Sequence, residues 1–212
     1  MRSLALVVTA CLTANLIATP DLFDGFATGW RRQWRDQNLF TKPTRYETAE
    51  SDGKIALHAR SESANAGLLR EVRLKSPTSA HLRWQWKISR PLLDNNRERE
   101  RSGDDYAARI CVIFETSLIP LRTRSIQYVW AAHEAAGAIY PSPYSRNVGM
   151  IVLRSGEAGT QAWQAERRDL LADYRAYFGE SPEMISAVGV LVDTDNTGLT
   201  AEAWFSDLRL ED

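Results

Sequence analysis

The chain predicts an all-β fold, a two-sheet antiparallel β-sandwich with one short α-helix, and three features carry that expectation. Several segments alternate apolar and polar residues, the pattern of strands with one solvated face. The segment from Tyr106 to Phe114 is apolar on both faces except at Arg109, as in a central strand covered on both sides. Only one stretch has helical periodicity.

In chain order, Lys54 to Arg60 follows an Asp52-Gly53 turn and alternates around Ile55 and Leu57. Gly67 to Leu74 sets Leu68, Val72 and Leu74 against Glu71 and Arg73. The clearest alternation is His81 to Ser89, with Leu82, Trp84, Trp86 and Ile88 facing one way and Arg83, Gln85 and Lys87 the other. Arg90 to Arg101 is charged and broken by Pro91 and Asn95-Asn96, a loop leading to the central strand at Tyr106. Further strands are expected at Ser125 to Ala131, Val148 to Ser155, Met184 to Asp193 and Thr200 to Leu210, with a Pro-containing loop from Gly137 to Arg146. Asp169 is placed to cap a helix with Leu170, Leu171, Tyr174 and Phe178 as its apolar stripe, ended by Gly179 and Pro182. No repeat and no internal boundary interrupts this pattern, so residues 19–212 read as a single domain.

Residues 1–18 have a short basic start and an apolar run ending before Pro20, as in a secretory signal peptide. The run is too short for a comfortable span, which needs about 20 apolar residues, so an integral membrane protein is not expected. A periplasmic or secreted protein is, with a lipoprotein at Cys11 as the alternative. Loss of the leader leaves Cys111 as the one cysteine, so stability must come from the core and not from an internal disulfide. A net charge of −1 lacks the basic excess that nucleic acid would call for.

Six motifs run through the chain: Leu82 to Lys87, Gly103 to Arg109, Tyr128 to Ala131, Asn147 to Met150, Arg168 to Leu170 with Asp173-Tyr174, and Asp193 to Gly198. Through them the stretch from about Phe23 to Leu210 resembles a bacterial family of exported proteins of unknown function, from which no activity follows. Phe23-Asp24-Gly25-Phe26 with Trp30, the Leu-x-Trp-x-Trp strand and Trp204 to Leu208 are also similar in layout to jelly-roll carbohydrate-binding modules. That likeness implies a structural calcium between the first and last strands and nominates Asp24 and Asp207.

Arg109 must be neutralised wherever it is buried, and Asp104 and Asp105 are the nearest acids in sequence. Together they can bind a glycan or another small polar ligand, or they can form an ion pair that orders a turn. Asn147 joins them as a ligand contact. Asp193 and Asp195 space oxygen atoms around a turn as a hard cation such as calcium prefers, although Trp204 stands where an EF-hand would close with glutamate. An Asx turn with Gly198 at positive φ accounts for the same residues. Among the aromatics, Trp84 and Trp86 belong to the core, whereas Trp130 and Trp204 are the candidates for stacking on sugar rings, with Trp163 in the same set. The Arg83, Gln85, Lys87 face reads as solvated, yet such a face of long polar chains can be a binding surface in a jelly roll.

The leading expectation is a non-catalytic binder of a glycan or polar envelope ligand. Two alternatives accompany it: a glycan-active hydrolase or lyase in which Asp105 or Glu166 acts as acid or base, and a structural partner in an envelope complex using Trp130 or the Arg97 to Arg101 loop. His58, His81 and His133 show neither ligand spacing nor a nucleophile partner.

Overall fold

A computed structural model describes residues 29–38, 42–75, 77–115 and 123–211. The leader, Cys11 and Asp24 lie outside them. Among the described residues there are twelve strands: β1 Arg35–Asn38, β2 Arg45–Ser51, β3 Lys54–Glu62, β4 Asn65–Lys75, β5 His81–Ile88, β6 Ala108–Glu115, β7 Arg124–Ala131, β8 Ile139–Pro141, β9 Val148–Ser155, β10 Gln164–Asp169, β11 Met184–Asp193 and β12 Thr200–Glu211. They form a seven-stranded sheet, β1-β4-β11-β6-β7-β9-β8, and a five-stranded sheet, β10-β5-β12-β3-β2. The expected sandwich is therefore present, with one departure: β7 and β9 pair in parallel, which makes the larger sheet mixed.

The core lies between the two inner faces. Leu82, Trp84, Trp86 and Ile88 of β5 and Ala203, Phe205 and Leu210 of β12 pack toward Ile110, Val112 and Phe114 of β6, Ile126, Tyr128 and Trp130 of β7, and Val188 and Val190 of β11. Aromatic contacts span the layers, with Trp86 to Trp130 at 5.9 Å and Trp84 to Tyr128 at 5.4 Å between ring centroids. Burying each such ring removes roughly 150–250 Å² from water, so these contacts dominate the cohesion of the sandwich.

The helix α1, Leu170–Phe178, contributes Leu170, Leu171 and Tyr174 to the same core. Asp169 caps it by accepting from the Leu171 and Ala172 amides, and Gly179 ends it in the left-handed conformation at φ 77°. Both ends match the sequence expectation. The loop expected at 137–146 instead contains the three-residue strand β8, and β1, β2 and β10 fall where no strand was expected.

The segment from Ser89 to Ala107 crosses the outer face of the seven-stranded sheet and builds a second, smaller apolar cluster there: Tyr106, Val129, Ala131, Tyr140, Met150 and Val152. Its fold depends on buried polar bonds. Asn95 Nδ2 donates to the Gly103 and Asp105 carbonyls, and the Glu98 carboxylate accepts from the backbone amides of Ala132, His133 and Glu134.

Candidate functional site

Arg109 lies on the outer face of β6, under that crossing segment, and is only 3% exposed. Nε donates to Asp193 Oδ1 at 3.0 Å and Nη2 to Asp193 Oδ2 at 2.6 Å, a fork across from β6 to β11. Nη1 reaches Asp104 Oδ1 at 3.3 Å and Gln127 Oε1 at 3.0 Å, while Nη2 also meets the Asp104 carbonyl. The Tyr106 ring lies 4.5 Å from the guanidinium carbon. Burial alone would lower the Arg109 pKa, but Asp193 and Asp104 keep it above the usual value. Burial pushes Asp193 up to about 7 against the pull of Arg109, and it raises Asp104 in the same way.

Asp105 is fully buried and serves a different partner. Its Oδ1 accepts from the Asn196 amide at 3.3 Å and Nδ2 at 3.0 Å, and its Oδ2 from the Thr197 amide at 2.7 Å and Oγ1 at 2.6 Å. The turn after β11 is thus clamped to the turn before β6. One carboxylate oxygen from each of Asp105, Asp193 and Asp195 lies within 4.8 Å of the others. The donor set does not suit calcium, because Asp105 is saturated by N–H and O–H donors and Asp193 is held by a guanidinium already. Asp207, nominated with Asp24, is exposed at φ 51° and accepts from Gln85 Nε2.

Four of the expected site residues, Asp104, Asp105, Arg109 and Asp193, are therefore brought together, with Asp195 at the edge, but into a sealed polar lock and not an open pocket. Two others lie elsewhere. Asn147 is exposed on a turn, with its amide bonded to Ser145 Oγ and its carbonyl accepting from Ser125. Trp130 is 1% exposed, packs on Trp86 and donates to the Gly156 carbonyl, so its ring has no face to offer a sugar. The acid-base candidates are also engaged: Glu166 Oε1 accepts from Arg154 Nε at 2.7 Å and from Trp86 Nε1 at 3.2 Å.

An accessible constellation sits on the outer face of the five-stranded sheet. Strand register places Lys87 opposite Trp204, Trp204 opposite His58, and His58 opposite Glu47. Trp163, just before β10, extends this row on the other side of Lys87. The His58 and Trp204 rings stack at 4.8 Å with planes 13° apart. Lys87 Nζ lies 4.8 Å from the Trp204 centroid and 5.6 Å from that of Trp163, and Lys54 Nζ lies 5.2 Å from Trp163. Trp163, Trp204, His58, Gln85 and Lys54 are all partly exposed.

The β2–β3 hairpin shapes one end of this face. Its Asp52-Gly53 turn has φ 53° and 74°, the twisted turn favoured between antiparallel strands. Residues 54–56 pair only with β2, whereas β3 joins β12 from Leu57 onward, so the tip is free to reach over β12 to β5. Lys87 Nζ bonds Asp52 Oδ2 at 2.7 Å and also Ser51, and Lys54 bonds Gln85. The hydrogen bond from Lys87 holds the Asp52 carboxyl below its usual value. Two polar atoms beneath the row are buried without a closed hydrogen bond among the described residues: His58 Nε2 has no partner, and Trp163 Nε1 lies near Asp52 without bonding it.

Alternation along β5 exposed Lys87 and Gln85 to sequence reading. His58 was missed as a member of this face because its neighbours come from two other strands, and only the pairing register places it beside Trp204.

The profile of the family described as "Protein of unknown function (DUF3047)" matches residues 32–209. The chain belongs to this family. No curated protein matches the DUF3047 chain in sequence. Among solved structures it is similar to a family 11 carbohydrate-binding module from Clostridium thermocellum in complex with a beta-1,3-1,4-mixed-linked tetrasaccharide. Identity there is 8% and the TM-score 0.44, over 91% of this chain and 93% of that one. A non-crystalline cellulose specific module, CBM28, is 12% identical with a TM-score of 0.46, covering 88% and 91%. TmCBM61 in complex with beta-1,4-galactotriose is 10% identical with a TM-score of 0.42, covering 91% and 99%. A likeness this distant transfers no ligand to the DUF3047 chain. No helix of the described residues is long and apolar enough to cross a membrane.

Proposed function

We propose that the protein binds a glycan, without turning it over, on the outer face of its five-stranded sheet. The observation that carries this reading is the row in which Trp163 and Trp204 flank Lys87, with His58 beyond. Sugar rings present C–H faces that pack on indoles and a rim of hydroxyls that exchange hydrogen bonds with amides, imidazoles and ammonium groups. Trp163 and Trp204 supply the first; Gln85 and Lys54 supply the second. The state of the two candidate acids supports binding without turnover, since Asp105 is saturated and buried and Glu166 is tied to Arg154. The leader read at residues 1–18 would put this face among envelope or extracellular glycans.

The test is retention on a glycan array by wild type, Trp204→Ala and Trp163→Ala, with urea denaturation to follow the fold. Each tryptophan variant is expected to lose roughly ten-fold in affinity, the worth of one stacked ring, with little change in unfolding midpoint. Retention that survives unchanged in both variants would remove this face as the binding site.

A further inference from the structure

A cleft of about 320 Å³ opens where β5 ends and β12 begins, lined among others by Arg90, Leu93, Asp94, Glu157, Leu199 and Thr200. Its charges differ from those around it. On the same sheet Lys87 is paired with Asp52, Arg60 with Glu202 and Glu62, and Arg83 with Glu211. The side chains of Arg90, Asp94 and Glu157 are exposed and make no hydrogen bond or ion pair among the described residues. Leu93 beside them is 44% exposed. The cleft thus offers an unpaired guanidinium and two unpaired carboxylates around an apolar surface, a set that can both donate to and accept from hydroxyl groups.

The cleft lies in line with the tryptophan row along β12. Thr200, Glu202 and Trp204 alternate with the buried Ala201 and Ala203, so all three point from the outer face of β12. At about 3.3 Å per residue, Thr200 lies about 13 Å from Trp204 along the strand. Arg90 stands three residues past Lys87 on the neighbouring strand's exit. Between the two ends the floor is polar, formed by the Arg60–Glu202 pair.

We propose that this cleft is a second subsite of the same face, so that the ligand class is an oligosaccharide laid along β12, with one ring on the tryptophan row and a distant one hydrogen-bonded by Arg90, Asp94 and Glu157. This rests on the glycan-binding reading above. A single sugar spans only the first subsite; a longer chain engages both.

The experiment is an array printed with β-linked glucan, galactan and N-acetylglucosamine chains, each from the single sugar to the hexasaccharide. It is probed with wild type, Trp204→Ala, and the double variant Arg90→Ala with Glu157→Gln. Wild type is expected to be retained more strongly as one of these series lengthens. The double variant should lose about ten-fold on the long members, the worth of one or two hydrogen bonds to charged groups, and nothing on the short ones. Trp204→Ala should weaken all lengths. Retention independent of length, or a double variant that matches wild type or weakens short and long chains equally, overturns the second subsite. If Trp204→Ala binds like wild type throughout, the face itself is lost, a failure separable from the former.

Discussion

Replacing Arg109 with alanine would strand Asp193 in a dry site with its fork of donors gone and Asp104 facing empty space. Removing one member of a buried ion pair costs about 3–5 kcal/mol, so the urea midpoint of Arg109→Ala is expected to fall steeply. A loss under about 1 kcal/mol, the scale of an exposed pair, would show that the lock is not what fastens the crossing segment to the sheet. Arg109 was legible in the sequence because a lone charge in a doubly apolar strand demands a counter-charge. The closure of that site was not legible. It depends on Asn196 and Thr197 turning their amides onto Asp105, a contact between segments 91 and 92 residues apart. Trp130 has a similar lesson: it shares an alternating face with Ile126 and Tyr128, and only the packing of Trp86 against it shows that this face points inward.

Gly103 sets the geometry of the crossing segment. A Cβ there would overlap the Arg97 carbonyl and the Asn95 side chain, both fixed by the hydrogen bonds that shape the loop. Gly103→Ala is therefore expected to lower stability by about 1–3 kcal/mol, the usual scale of overpacking, read as a drop in melting temperature. An unchanged melting temperature would mean that the loop relaxes without cost. The helix needed no structure to be found, because Asp169 and Gly179 punctuate it chemically at both ends. The edge strands gave no such signal. β2 reads Arg-Tyr-Glu-Thr-Ala-Glu-Ser, with little to bury on either face, and β8 is only three residues long. Nor does periodicity name a partner, so the parallel pairing of β7 with β9 was beyond reach.

At the scale of the molecule, the two turns clamped at Asp105 already contain their own cation in Arg109. Adding calcium or a chelator is accordingly expected to leave the melting temperature where it was. A rise of about 2 °C or more with calcium, equivalent to roughly 1 kcal/mol in a domain of this size, would require Asp105, Asp193 and Asp195 to trade those donors for a metal. The order of strands carries one more implication. β4 is flanked by β1 and β11, and β12 separates β3 from β5, so strands made early in synthesis wait for neighbours made last. Such non-local wiring slows folding. A nascent chain cannot complete either layer before residues 184–211 have emerged, so its early strands must hold a gap in each sheet for partners that arrive at the very end of synthesis.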